Sequence, residues 1–164
     1  MSKIKSTLIG IVLLFTIWIL LAGNSQQELL FGGITVILLT LLFQKKFLVL
    51  EDIKLNPKSI SYMVIFFFVF LWELFKANID VAKRVISPKL PINPGIVKVK
   101  TKLESPLGRA FLANSITLTP GTLTVEMKDE YFYIHWIDVK ADDIEGATKS
   151  IVSNFEKYLE VIFG

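Results

Sequence analysis

The first half of the chain consists of apolar runs separated by short polar breaks. A run from Thr7 to Ala22 carries no charged residue, and a second run from Leu29 to Phe43 follows after the polar break at 23–28. At about 1.5 Å per residue the second run reaches only ~22 Å, against a hydrocarbon core of ~30 Å, so it must tilt, thin the bilayer or use flanking residues. The break is long enough only for a tight loop. The pattern therefore predicts an antiparallel pair of membrane helices near residues 7–22 and 29–44.

A third apolar run predicts a helix near residues 59–81, with Ser59 as its N-cap. Its uncharged part ends at Trp72 and is too short to cross a bilayer alone, so a spanning helix must carry Glu73 and Lys76 into the interfacial zone. A helix over the whole range is ~34 Å long, which is sufficient. From Trp72 onward the pattern becomes amphipathic. We expect this last part to lie along the membrane surface or under a partner subunit.

The second half of the chain predicts a small α+β domain. Residues 87–95 contain three prolines and a glycine, which indicates a stiff linker between a membrane domain at 1–86 and a second domain at 96–164. After the linker, alternating strands and amphipathic helices follow in the order β-α-β-β-α. This order favours two helices packed on one side of a small mixed sheet. The fold class is thus a membrane α-helical N-terminal half, with two or three short transmembrane helices, joined to an α+β domain.

Local patterns in this domain predict specific contacts. Pro120 and Gly121 are expected to form the turn that joins the first helix of the domain to a hairpin, and replacement of Gly121 is expected to be costly if that position needs positive φ. After the Ser105 N-cap, a short helix is expected to carry four residues on one of its sides. A capping box is expected at Asp142 with Glu145. Apolar residues on both hairpin strands are expected to share one core face. The side of the short helix is Leu107, Ala110, Phe111 and Asn114, and the core face is Leu123, Val125, Met127, Phe132, Ile134 and Trp136.

Composition supports the membrane assignment. Hydrophobic residues make up 52% of the chain, and the mean hydropathy of +0.56 exceeds that of ordinary soluble domains. The lysines near the N-terminus also occur in signal peptides, but a second apolar run follows at once without an A-x-A-like cleavage site, which favours a retained helix. The net charge is only +3, and no basic stripe with interleaved aromatic residues is present. The lipid bilayer is therefore an expected partner and nucleic acid is not.

The basic residues leave the topology open. They flank all three apolar runs, and the positive-inside rule places every such flank in the cytoplasm. Three full crossings cannot satisfy this rule, so either one short segment does not cross fully or one flank lies on the other side. We expect a multi-pass protein of the cell membrane with a cytoplasmic C-terminal domain, and the side of the N-terminus stays open. The flanks are Lys3 and Lys5, then Lys45, Lys46, Lys54 and Lys58, then Lys76, Lys83, Arg84 and Lys89.

The inventory of reactive side chains is small. Cysteine is absent, His135 is the single histidine, and no nucleotide-binding or nucleophile motif occurs. His135 and Asp138 are expected on opposite sides of the sheet, so His135 is interpreted as a half-buried structural residue. Asp142, Asp143 and Glu145 offer too few ligands for a hard-cation site. We therefore predict no catalytic residue, no metal site and no cofactor, and hence no enzyme.

Glu73 has two interpretations. A carboxylate beside an apolar span is a candidate for an ion path, whereas a pair with Lys76 at helical spacing explains it as an interfacial residue. The second interpretation is favoured. The structural or subunit-contact candidates are Glu73, Pro120, Gly121, His135 and Trp136.

Four stretches resemble a known family. They are Lys76–Ala82, Lys89–Ile96, Leu112–Val125 and Tyr133–Val139, and together with the short apolar segments they resemble the E subunit of Mrp-type (multiple resistance and pH) monovalent cation/proton antiporters. The resemblance extends over the whole chain. It implies an accessory subunit in an assembly that exchanges Na⁺, or another monovalent cation, for protons, with the proton path in other, larger subunits.

Three alternatives remain open at this point. A similar subunit recurs in membrane-bound hydrogenases and related ferredoxin-linked complexes, so the resemblance does not choose the host complex. A self-contained homo-oligomeric transporter with Glu73 in its path is a second alternative. A regulatory ligand-binding role for the tail domain is a third, since a fold does not specify a function.

Overall fold

The computed structural model describes residues 3–141 and 143–164, and their contacts separate into two units. The first unit extends to Ile53 and the second begins at Lys54. The long third helix thus groups with the elements that follow it. The assignment of residues 1–86 to the membrane, 87–95 to a linker and 96–164 to the cytoplasm stays a prediction.

The first unit is a helical hairpin. It comprises α1 (Lys3–Ala22), α2 (Gln26–Leu42), α3 (Gln44–Phe47) and a 3-10 helix (Leu48–Asp52). Ser25 caps α2 by accepting a hydrogen bond from the Glu28 N–H at 3.3 Å. The Trp18 indole donates to the Glu28 carbonyl at 2.8 Å and its ring occupies the space that a side chain at Gly32 would fill. The predicted helix pair is confirmed, because these contacts join α1 to α2.

The second unit begins with the longest helix, α4 (Pro57–Ile86). Asn56 is its N-cap and accepts a 2.7 Å hydrogen bond from the Ser59 N–H. The prediction of Ser59 as the cap was wrong, because Pro57 starts the helix and the buried Ser59 hydroxyl instead donates to the Val161 carbonyl at 2.9 Å.

By length and composition, two helices qualify as membrane spans, Ile4–Ala22 and Pro57–Ile86. A third qualifies if Gln26–Leu42 and Lys45–Asp52, which meet at a bend of 82°, are counted as one broken span. The expectation of two or three apolar helices is confirmed.

The remaining elements form the predicted α+β fold. They are β1 (Gly95–Lys100), α5 (Pro106–Leu118), β2 (Thr122–Lys128), β3 (Tyr131–Trp136), α6 (Ile144–Ile151) and α7 (Ser153–Phe163). The strand order is β1-β3-β2, with β3 in the centre. Both strand pairs are antiparallel, so the prediction of a mixed sheet was wrong.

The core of this fold lies between the sheet and the helices. Phe132 and Ile134 of β3 have no exposed surface, and Trp136 at the strand end is half-buried. The final helical stretch is broken at the buried Val152 into α6 and α7, where a single helix was expected. Asp143 caps α6 by accepting from the Gly146 N–H at 3.2 Å, while the expected cap Asp142 lies outside the described residues.

Two predicted faces were wrong. On α5 the buried side chains include Leu112, Ala113 and Ile116, whereas Phe111 and Asn114 are exposed. On β2 the apolar residues Leu123, Val125 and Met127 are about half exposed, at 50%, 55% and 49%. The polar face of β2 packs on α5 instead, because its threonine hydroxyls donate to α5 carbonyls. These bonds are Thr122 Oγ1 to Ile116 O at 2.7 Å and Thr124 Oγ1 to Ala113 O at 3.2 Å.

Candidate functional site

A charged groove separates α4 from the end of the sheet in the second unit. Its cavity volume is about 270 Å³, and its lining comes from α4, the turn before β2, the residues after β3 and the α6–α7 region. The groove brings several ionisable side chains of this unit together. We therefore take it as the candidate site.

Arg84 lies at the centre of this groove. Its Nε donates to Asp80 at 2.7 Å, its Nη2 to Asp138 at 2.9 Å and its Nη1 to the Pro91 carbonyl at 2.6 Å. Lys140 lies 3.6 Å from the same Asp138 oxygen. We call Asp80, Arg84, Asp138 and Lys140 the Arg84 cluster. The Arg84 and Asp138 side chains are 12% and 23% exposed, so this pair is less screened than an ordinary surface ion pair, whereas Asp80 is half exposed.

Backbone hydrogen bonds hold the chain around this cluster. Asn93 donates its N–H to Ile137 O at 3.1 Å and accepts from Val139 N–H at 2.9 Å. Ile137 in turn donates to Gly121 O at 2.8 Å. These bonds continue the sheet beyond its named strands. They fix the segment that carries Asp138 opposite the last turns of α4.

Gly121 adopts a left-handed backbone conformation. Its φ is +94°, in the left-handed region that disfavours side chains. A Cβ atom at this position would meet Ile137 Cγ2 at 2.9 Å and Val81 Cγ2 at 3.8 Å. The turn at Pro120 and Gly121 therefore brings the chain close to both α4 and the segment after β3.

Glu73 lies at the other end of the groove. Its Oε1 accepts from Lys76 Nζ at 2.8 Å and from Asn154 Nδ2 of α7 at 3.5 Å. Glu73 is thus paired with Lys76, as the favoured interpretation predicts, and it also contacts Asn154 of α7. The arrangement neutralises the carboxylate within the chain.

His135 and Trp136 contribute differently from expectation. His135 is exposed, not half-buried, and its cross-strand neighbours are Ile96 and Leu123. Trp136 is half-buried and lines the groove. His135 thus belongs to the outer sheet face, whereas Trp136 belongs to the candidate site.

A second ion pair lies outside the groove, near the β2–β3 turn. Lys100 Nζ donates to Glu130 at 3.1 Å, and this hydrogen bond lowers the pKa of Glu130 and raises the pKa of Lys100. Both side chains are about half exposed, so the pair adds little to stability.

Sequence reasoning missed Arg84 and its two acidic partners. Arg84 was interpreted as part of a basic flank, Asp80 as one of the charged residues in the amphipathic part of the third run, and Asp138 as a poor partner for His135. A signal was nevertheless present, because three of the four stretches that carry the family resemblance line this groove, and the fourth supplies the Pro91 carbonyl that accepts from Arg84. Asp80, Pro91, Gly121 and Asp138 come one from each of them. Among the described residues, no cluster of three or more potential metal ligands is found.

These features define the class: a membrane protein whose apolar helical hairpin precedes an α+β fold built on a long helix. The chain belongs to the MNHE family of Na⁺/H⁺ ion antiporter subunits, whose family model matches residues 11–162. This membership confirms the resemblance to the Mrp-type E subunit.

Individual relatives agree with the family. The Na⁺/H⁺ antiporter E subunit of Bacillus subtilis is 34% identical over 147 residues, which cover 88% of this chain and 90% of the relative. The E1 subunit of Staphylococcus haemolyticus is 36% identical over 144 residues, covering 82% and 86%. A solved chain of the membrane-bound sulfane sulfur reductase, an archaeal respiratory membrane complex, is 44% identical to this chain and has a TM-score of 0.84. The match covers 96% of this chain and 99% of the solved chain.

Proposed function

We propose that this chain is the accessory, non-catalytic E subunit of a multi-subunit Mrp-type antiporter in the cell membrane. Its helices anchor it, and its α+β fold supports the assembly of neighbouring subunits. The observation that carries this proposal is the match over nearly the whole chain to relatives named as E subunits of Na⁺/H⁺ antiporters.

The groove geometry supports an accessory role. Glu73 is paired with Lys76, and Asp80 and Asp138 are paired with Arg84. A carboxylate that binds a transported cation must exchange partners during each cycle, whereas these carboxylates hold structural elements together. We infer that cation and proton translocation belongs to other subunits.

Co-purification tests the assignment. The tagged chain is purified in mild detergent from its own host, and the bound proteins are identified by mass spectrometry. We expect antiporter-like subunits to accompany it. Recovery of the chain alone as a homo-oligomer would contradict the proposal and favour the self-contained transporter.

A Glu73→Gln variant separates the same two alternatives by activity. The amide keeps a carbonyl acceptor for Lys76 and Asn154 but removes the charge, so cation-dependent proton transport in vesicles should stay near wild type. Glu28→Gln, a change at the start of α2, is the matched control. Loss of transport with Glu73→Gln alone would place Glu73 in an ion path.

A second host is favoured by one observation. The solved chain with 44% identity belongs to a respiratory membrane complex. We therefore keep a respiratory complex with redox subunits as the second candidate. The same purification decides between the two hosts, because redox subunits among the bound proteins would identify the respiratory complex and their absence the antiporter.

A further inference from the structure

Helix α4 has two different long faces. One stripe faces the rest of its unit over the full length of the helix, and its residues recur at helical spacing. The opposite face is exposed and almost entirely apolar. The covered stripe includes Ser59, Tyr62, Phe66, Phe70, Glu73, Ala77, Val81 and Arg84, and the exposed face includes Ile60, Val64, Phe68, Leu71, Phe75 and Ile79.

The covered stripe is packed at both ends of the helix. Near its start, the rings of Phe66 and Phe70 lie 6.3 and 6.4 Å from Phe155 of α7. Near its end, Arg84 is bonded to Asp138. The α+β fold therefore covers one side of α4 along most of its length, including the uncharged part that was expected to lie inside the bilayer.

This packing conflicts with a crossing by α4. If Phe66 and Phe70 lay in the hydrocarbon core, α7 would lie at the same depth with Glu156, Lys157 and Glu160. Charged side chains and open sheet edges are both unfavourable there, since hydrocarbon offers no hydrogen-bond partners. Length and composition admit α4 as a span, but its attached fold does not.

We propose that α4 lies in the plane of the membrane, with its exposed apolar face in the interfacial region of the bilayer and the α+β fold on the aqueous side. Charge and aromatic placement identify lipid as the occupant. The exposed Lys83 lies on one flank, where its ammonium group reaches anionic headgroups, and Trp72 lies on the same flank. Lys76, also on this flank, is paired with Glu73. Tryptophan prefers this boundary.

The orientation also removes the topological conflict in the sequence. If α1 and α2 both cross and α4 does not, all three basic flanks lie on one side of the membrane, as the positive-inside rule requires. The inference rests on one part of the proposed function, which is that this chain is a subunit of a membrane complex. It adds that the third apolar run binds the membrane without crossing it.

Spin-label depth measurements test the inference. The chain contains no cysteine, so single cysteines at Val64, Phe68, Phe75 and Ile79 can be labelled in the complete complex in native-lipid bilayers. Relative accessibility to oxygen and to a water-soluble nickel chelate reports the depth of each label. Ala77→Cys on the covered stripe is the control for labels that do not face lipid.

Three results are distinguishable. An in-plane helix gives the four outer labels one common shallow depth. A depth that increases and then decreases along the helix means that α4 crosses, and labels without access to lipid mean that a partner subunit covers the face; either result overturns the inference.

Photolabelling with a lipid-soluble diazirine repeats the test on the unmodified chain. It should mark the outer face along the whole helix, whereas marking confined to its middle would overturn the inference. Co-purification of antiporter subunits is scored independently, so failure here leaves the proposed function unaffected.

Discussion

At the scale of single residues, two positions determine the geometry of the groove. Gly121 admits the close approach of α4 and the segment after β3, because any Cβ atom would meet Ile137. Arg84 joins three separate stretches of chain through one guanidinium group. A planar fork with several donors is suited to this task, whereas a point charge is not.

Gly121→Ala should lower the free energy of unfolding by about 1–3 kcal/mol, because it adds both left-handed backbone strain and a clash with Ile137. The thermal unfolding of the purified complex is the measurement. Gly33→Ala is the control, since a Cβ atom there meets nothing within 4 Å. Equal unfolding temperatures for the two variants would refute the role assigned to Gly121.

Arg84→Gln should lower the free energy of unfolding, because Asp138, whose side chain is 23% exposed, and the half-exposed Asp80 both lose their main cation. Arg84→Lys retains the charge but not the fork, so about half of that loss is expected. Lys83→Gln, one residue away and exposed, should change stability by no more than about 0.5 kcal/mol. Thermal unfolding ranks the three variants, and a Lys variant as stable as wild type would show that geometry is unimportant there.

At the scale of elements, a buried carboxylate joins the end of β1 to α7. Glu156 Oε1 accepts from the Thr101 hydroxyl at 2.5 Å and from the Lys102 N–H at 2.8 Å, and both Glu156 and Thr101 are buried. These bonds replace water for groups that the packing of α7 would otherwise leave unsatisfied.

Glu156→Gln keeps the carbonyl oxygen that accepts both bonds, so its cost should stay below about 1 kcal/mol. Glu156→Ala removes the acceptor and should cost about 2–3 kcal/mol. Chemical denaturation of the two variants measures the difference. If both unfold alike, the charge and not the hydrogen bonding stabilises this junction.

The elements themselves were largely predictable, because periodicity and capping residues act locally. The orientation of β2 was not, since alternation defines two faces but not which of them packs. Here the hydroxyls of Thr122 and Thr124 satisfy carbonyls of α5, and this polar contact turns Leu123 and Val125 outward. The groove could not be predicted from the sequence either, because only the tertiary fold brings Arg84 and Asp138 together.

At the scale of the whole molecule, the proposed arrangement distinguishes a crossing helix from an in-plane helix. In bilayers made thicker with longer acyl chains, a label at Val12 of α1 should change its depth, since a span must adjust to the hydrocarbon thickness. A label at Phe68 should keep its distance from the headgroups. Spin-label accessibility in the reconstituted complex measures both. A matching response of the two labels would contradict the arrangement.

The start of α4 depends on residues that the ribosome makes much later. The Ser59 hydroxyl bonds to the carbonyl of Val161, 102 residues further along, and the Lys54 N–H bonds to Ile162 O. Because chains fold from the N-terminal side during synthesis, the covered stripe of α4 must wait unpaired while the sheet is made. A nascent chain truncated before α7 would therefore expose a row of aromatic rings on α4 to chaperones and proteases. The unit completes its fold only when α7 packs against α4.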